Sequence, residues 1–438
     1  MIAENNRWCE GVLRENGFKG IVDNVIEPNL NVLAANWATL PAADGHTYLG
    51  FPSHWDKPGS KLSVMTSPIA AGASFFRRIN SSRMAGRPFF CGEYNHSFWN
   101  PWQYELPLGF IAYAAFANWS SMTIHDEAVL IAPPPNPACH IFAVGVNPVL
   151  RCGQFLGSLL FLRGDVAPAK HKIRWNIPEK WLWQNSNSNF TFSDMQSRLG
   201  LIAETGIFFE GIKPYAPLPV EKPDLTLTMK SVGHSIVHEW HTSLAKEAKG
   251  EQELAENIAK LRRAGIISKE NITDAAKGIF QTDTGEITLE AGKKQIRLIT
   301  PATEAATLLG GSSVNLKQLS VSSTVNALAA ASAMDGKPLA DSGKIVICYA
   351  TRAVKSGMTL EPDGETMRLW GGAPVLVQTG KLDVALKTAV PLQAWALRMD
   401  GVRSEKIPVK YQDGTLSLHI DTAELANGPT LFFELNQK

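Results

Sequence analysis

The stretch 86-GRPFFCGEYNHSFWNPWQYE-105 places a carboxylate at the end of a short apolar run. Glu93 follows Phe89, Phe90, Cys91 and Gly92, and Tyr94, Asn95, His96, Trp99, Asn100 and Trp102 crowd after it. A strand that ends in a carboxylate presents it for proton transfer or nucleophilic attack, provided that neighbouring donors aim it. Other segments become polar at the same end: Asp23-Asn24, His46 to Tyr48, and His125-Asp126. His46, Tyr48 and Asn95 supply donors that can orient Glu93, and His125 can bond a ligand hydroxyl. Trp55, Trp99 and Trp102 lie in polar loops. There an aromatic face can stack on a ligand with apolar faces, or it can simply pack the loop onto the scaffold. Glu105 opens a helix, where a carboxylate complements the positive end of the dipole. A separate constellation is 234-HSIVHEWH-241. On a helix His234, His238 and His241 would share a face, a spacing that metals use. The order is not H-E-x-x-H, and no Cys or carboxylate completes the set. A solvated or interdomain histidine cluster is therefore the expectation, with no metal and no cofactor.

The elements that must position these groups alternate along the first third of the chain. A helix over 5–16 carries Trp8, Val12 and Leu13 on one side, and Gly17 ends it. Short strands follow at 20–25, 42–50, 88–94 and 120–128, with helices over 64–79, 104–119 and 148–162. Strand–helix alternation with crossover-length connections predicts a parallel α/β layout. Polar residues gathered at the carboxyl ends of the strands suit a (β/α)8 barrel, of which residues 1–164 would supply the last four strands. Residues 165–277 read as a mixed linker or accessory region with a charged helix over 246–263, whose apolar stripe is Leu254, Ile258 and Leu261. From 278 to 438 short strands of alternating polarity, separated by Gly, Asp and Ser turns, predict an antiparallel β-sandwich.

Composition narrows the possibilities. The 438 residues imply two or three domains, and 45% hydrophobic against 19% charged residues can build large cores. The 42 basic and 41 acidic residues leave a net charge of +1, which argues against nucleic acid and anionic membrane as partners and favours a neutral ligand. The five cysteines, Cys9, Cys91, Cys139, Cys152 and Cys348, are scattered and form no C-x-x-C, so buried free thiols are expected. The amino-terminal segment is polar and helix-like, without the apolar run of a signal peptide, and no stretch is apolar enough for a transmembrane helix.

Residues 88–129, PFFCGEYNHSFWNPWQYELPLGFIAYAAFANWSSMTIHDEAV, resemble the last two barrel strands of the clan A glycoside hydrolases. In that superfamily the nucleophilic glutamate ends the seventh strand in a context like G-E-[YW]-N, which Gly92-Glu93-Tyr94-Asn95 matches. The segment 44-DGHTYLGFPSHW-55 resembles the sixth-strand region of agarase-like and related large microbial hydrolases. Residues 156–169 resemble their last barrel helix, and 282–287, 334–347 and 369–378 their carboxyl-terminal β-sandwich. The resemblance implies a retaining hydrolase of O-glycosyl bonds, acting on an oligo- or polysaccharide with Glu93 as nucleophile. The family's general acid/base, a Glu after Asn at the end of the fourth strand, has no counterpart, because the chain begins just before the fifth strand. Glu4, Glu27, Asp126 and Glu127 remain as candidates. The resemblance thus implies half a barrel, which either lacks an upstream portion or self-associates through its open edges. A non-catalytic carbohydrate-binding scaffold and a metal-dependent enzyme built on the histidine cluster are the alternatives.

Overall fold

The computed structural model describes residues 1–24, 29–55, 57–63, 65–126, 141–185, 190–216, 222–229, 233–234 and 250–437. The chain is mixed α/β, with extensive antiparallel sheet in its carboxyl-terminal half. Three parallel strands lie at the centre of the first part: β1 (Ala43–Leu49), β2 (Phe89–His96) and β3 (Ser121–Ile124), in that spatial order. No closed barrel forms among the described residues. The expected strand at 20–25 is absent over 20–24, where the chain is irregular, and its last residue lies outside the described set.

Helices pack around these strands. α1 (Ile2–Glu15) is longer than expected and inverted in character. It buries Asn6 and Glu10, while Trp8, Val12 and Leu13 stay exposed. Asn6 Nδ2 donates to Asn36 Oδ1 at 2.8 Å and to Thr39 Oγ1 at 3.0 Å, both on α2 (Leu30–Thr39). The sequence pattern gave no hint of α2, although Asn29 caps it by accepting from Asn31 N and Val32 N. α3 is confined to Ser74–Asn80 instead of spanning 64–79. Pro68 and Gly72 interrupt the helical pattern before it, and Gly72 takes a φ of +70°. The apolar stretch after Trp102 is continuously helical but changes gauge. A 3₁₀ turn at Gln103–Glu105 passes into a π turn at Pro107–Ile111 and then into α4 (Ala112–Phe116). α5 (Pro148–Phe161) starts where expected, with Asn147 as N-cap and Pro148 in the first turn.

The stretch 165–277 packs into the same apolar core. Its strands Glu204–Glu210, Lys172–Pro178 and Leu225–Thr228 form a second parallel sheet in that order. A parallel bridge from Met84 to Ile207 joins the segment before β2 to that sheet. The buried Arg77 guanidinium ties α3 to the same region. It donates to Gly72 O, Ala71 O, Asp194 O and Ser197 Oγ, and pairs with Asp194 Oδ1 at 2.9 Å. The charged helix spans Gly250–Arg263 and buries Leu254, Ile258 and Leu261. His234 lies in a two-residue strand paired with Phe190–Thr191, not on a helix. His238 and His241 fall outside the described residues.

Beyond Gly278 two antiparallel sheets face each other, one of nine strands and one of five. The nine-stranded sheet has a core on each side. Its strand Ala327–Ala333 is buried along its whole length. Leu328 and Ala330 point into the core shared with α5 and the π turn, whereas Ala327, Ala329 and Ala331 meet Val321, Val384 and Leu418 of the five-stranded sheet. Alternating small side chains let both neighbours approach closely. No helix among the described residues is long and apolar enough to cross a membrane.

Glu105 holds the long helical segment to the loop before α3 instead of lying at an open helix end. Its Oε1 accepts from Ser67 Oγ at 2.7 Å and its Oε2 from Ile69 N at 3.1 Å. Burial raises its pKa to about 8, although both of these bonds favour the ionised form. The folded chain therefore holds a proton that the unfolded chain, near 4.5, has released. This stabilisation is fully present below about pH 4.5 and is lost as the pH rises through about 8. Glu105→Gln should remove this dependence and gain a few kcal/mol on the wild type between neutral and alkaline pH. Urea midpoints measured across that range check it, and parallel curves for the two proteins would refute it.

Candidate active site

The site is assembled at the carboxyl ends of β1 and β2. Their parallel register pairs His46 with Glu93 and Tyr48 with Asn95. The pairing is not uniform. Asp44 faces Phe90, but His46 faces Glu93, so β2 carries an extra residue at Cys91–Gly92. The pairing with β3 repeats the irregularity between Cys91 and Tyr94. A bulge of this kind re-aims the side chain that follows it. Asp44 Oδ1 accepts the bulged Gly92 N–H at 2.7 Å, which satisfies an amide the ladder leaves free. Glycine is required there for space. A Cβ at 92 would stand 2.5 Å from Asp44 Oδ2 and 2.9 Å from His46 Nε2.

Glu93 is the centre of what this arrangement brings together. The Tyr48 hydroxyl donates to Glu93 Oε2. His46 Nδ1 lies 3.4 Å from the same oxygen, and His46 Nε2 lies 3.3 Å from Asp44 Oδ2. His125 Nδ1 approaches Oε2 at 4.0 Å, and its Nε2 is 3.5 Å from Asp126 Oδ2. Oε1 of Glu93 has no hydrogen bond among the described residues. Burial, reinforced by the bond to Glu93, raises the Tyr48 pKa well above the usual phenol range and keeps it a donor. Asp23 joins the site from the irregular segment before α2. Partial burial of its carboxyl and repulsion from Asp44 raise its pKa, and His46 opposes the shift.

Asn95, Trp99 and Trp102 are directed elsewhere. Asn95 is fully buried. Its Nδ2 donates to the carbonyls of His125 and Phe142, and its Oδ1 accepts from His96 N, so it locks the end of β2 to β3 and the 142 segment. Trp99 is buried too, with its indole donating to Glu365 O at 3.1 Å and its ring 5.6 Å from that of Trp370. Trp102 is partly buried, donates to Met65 O at 2.7 Å and lies under Lys294. Neither ring offers a free face near Glu93. Of the three loop tryptophans Trp55 is the exposed one, and it packs edge-on against Phe51 and Phe142. Phe142 lies 4.9 Å from the Tyr48 ring and 5.3 Å from the His125 ring. Nothing in the sequence marked Phe142, which follows a proline-rich stretch and reaches the site only in three dimensions.

A strap from the carboxyl-terminal half borders this region. Met367, Trp370, Met358 and Leu360 pack with Tyr48, Phe98, Trp99 and Phe142. The strap is fastened by Gly59 N to Met367 O at 2.8 Å, Met367 N to Ser60 O at 2.8 Å, and a Lys61–Glu365 ion pair at 3.0 Å. Among the candidate acids, Glu4 is exposed and paired with the amino terminus. Glu27 and Glu127 fall outside the described residues, and Asp126 lies beside His125. No group of three or more metal-ligating side chains occurs among the described residues. Neither a scan against models of known protein families nor a search of curated proteins finds a match for the chain.

Gly92→Ala should cost about 1–3 kcal/mol in urea unfolding, because the new methyl drives into the Asp44 carboxylate. It should also shift the His46 ring resonances in NMR spectra. Combining it with Asp44→Ala should recover part of the loss, a non-additivity that a double-mutant cycle measures. Unchanged stability in the single variant would refute the steric role of Gly92.

Proposed function

We propose that residues 1–164 are the carboxyl-terminal half of a clan A glycoside hydrolase barrel, followed by an accessory region and a β-sandwich, and that Glu93 is the nucleophile of a retaining reaction on an oligo- or polysaccharide. The observation that carries this reading is the convergence of Tyr48, His46 and His125 on one oxygen of a strand-end carboxylate, with the other oxygen left for attack. Donors on Oε2 fix the plane of the carboxylate. Oε1 then adds to the anomeric carbon as a second carboxyl group protonates the departing oxygen, and that group takes a proton from the water that hydrolyses the glycosyl-enzyme in a second step.

The second carboxyl group is Asp126. The His125 ring lies between it and Glu93, which places the two carboxyl groups within about 10 Å, a span that covers the separations used by glycosidases. The wall formed by Phe51, Trp55 and Phe142 gives a sugar ring an apolar face to lie on. Near-neutral net charge suits an uncharged carbohydrate.

Glu93→Gln should lower kcat on aryl glycosides by at least about 10³-fold while sugar affinity and the unfolding midpoint stay near wild type. Tyr48→Phe should lower kcat less, by about 10-fold or more. Near-parental turnover by Glu93→Gln would remove Glu93 from the chemistry. Saturable sugar binding by the wild type, with no turnover on a panel of aryl glycosides and polysaccharides, would replace the hydrolase by a carbohydrate-binding scaffold.

A further inference from the structure

A cavity lies at the other end of the parallel strands from Glu93. It has a volume of about 500 Å³ and is walled by residues 83, 85–88, 118, 120, 172–174, 204, 206 and 223. Arg87 and Pro88 immediately precede β2, and Ser120 immediately precedes β3, so this cavity opens at the amino ends of the strands, whereas Glu93 stands toward their carboxyl ends. Lys172 and Arg174 come from the central strand of the second parallel sheet. Gly206 allows the two sheets to meet here. A Cβ on it would come 2.9 Å from Ala85 Cα, and the 83–87 segment is strapped to Ile207 by two backbone hydrogen bonds, at 2.8 and 2.9 Å.

Among the described wall residues three guanidinium groups, those of Arg83, Arg87 and Arg174, stand beside a single carboxylate, Glu204. That carboxylate is taken by Arg83 at 2.7 Å. Asp224, just outside the wall, accepts the backbone amide of Lys172 at 2.7 Å. Arg87 is 5% exposed and has no carboxylate partner among the described residues. Its hydrogen bonds are long, 3.5 Å to Pro41 O and 3.4 Å to Ala216 O, and the guanidinium lies 5.2 Å from the Trp37 ring centroid. The Nε atoms of Arg83 and Arg174 are buried without a hydrogen-bond partner among the described residues, and the Arg174 guanidinium lies 4.7 Å from the Phe208 ring centroid. A buried guanidinium held by long carbonyl contacts and an aromatic face, beside further unmatched N–H donors, is a costly arrangement that an anion relieves. Desolvation pulls the Arg87 pKa down, in keeping with a cation that lacks its counter-charge.

We propose that this cavity binds a small molecule bearing a tetrahedral oxyanion, a phosphate or sulfate group, through Arg87 and Arg174, with Arg83 and the polar wall at Asn118 and Ser120 completing the donor set. Guanidinium groups match such oxyanions with paired, charge-assisted hydrogen bonds. The volume exceeds the need of a bare ion and accommodates an organic portion, as small-molecule cavities of about 300–1,000 Å³ do. The site is independent of the chemistry at Glu93.

The test is titration calorimetry and thermal melting of the full chain with inorganic phosphate, sulfate and a hexose phosphate, at fixed ionic strength. Saturable binding with a dissociation constant below about 1 mM is expected for at least one of them. Arg87→Gln and Arg174→Gln should each weaken it at least about 10-fold. Glu93→Gln should leave it unchanged. A hexose phosphate that binds at least about 10-fold more tightly than the free ions identifies a phosphorylated metabolite, and equal affinities identify the free anion. Should Arg87→Gln fail to fold, the less buried Arg174→Gln carries the comparison. Absence of saturable binding to the wild type, or equal binding by a folded Arg174→Gln, would overturn the proposal.

Discussion

The bulge in β2 is the constraint on which the site depends. Residues in a regular strand point alternately to opposite faces, so an unbroken β2 would fix Glu93 by simple alternation from Phe89. The extra residue at Cys91–Gly92 resets that alternation and delivers the Glu93 carboxylate to the side on which β1 presents His46 and Tyr48. Asp44 pays the local cost by accepting the amide that the bulge frees. It also holds His46 from the far side of the ring, so one carboxylate supports both the backbone and the imidazole next to Glu93. Gly92 is what makes room for this, because any side chain there occupies the space of the Asp44 carboxylate.

The scaffold keeps that geometry stiff by sharing layers. The nine-stranded sheet is covered on both faces, by α5 and its neighbours on one side and by the five-stranded sheet on the other. The accessory stretch is stitched to α3 through the buried Arg77, whose desolvation, which lowers its pKa to about 10, is offset by five hydrogen-bond acceptors that include Asp194. The strap around Met367 and Trp370 then brings the carboxyl-terminal half against Tyr48, Phe98 and Trp99. The result is a site whose walls come from sequence segments hundreds of residues apart. The proposed nucleophile, in contrast, is surrounded by groups from β1, β2 and the end of β3.

Much of this was legible in the residues. The strand-end carboxylate, the donors His46 and Tyr48, and His125 were all marked by residue type and by their place after apolar runs, and they do converge. The antiparallel sheets after 278 followed from alternation and turn residues, since a sheet with cores on its faces writes its period directly into the chain. What misled were residues whose surroundings are non-local. Trp99 and Asn95 look like ligand contacts in a polar stretch, yet their polar groups are spent on Glu365, His125 and Phe142. The helix α1 shows an apolar stripe that suggests a buried face, yet polar Asn6 and Glu10 are the buried residues because α2 offers Asn36 and Thr39 as partners.

The sequence by itself determined the alternation of strands and helices in the first part, the antiparallel character of the last part, and the chemical identity of the groups at the strand ends. These are properties of period and residue type, which act over a few positions. Tertiary structure alone decided that β2 bulges, that Glu105 lies buried between a loop and a helix, that Phe142 joins Tyr48, and that a cationic cavity opens where two parallel sheets meet. Each of these depends on desolvation and contact between segments far apart in the chain, and such terms leave no periodic trace in any one segment.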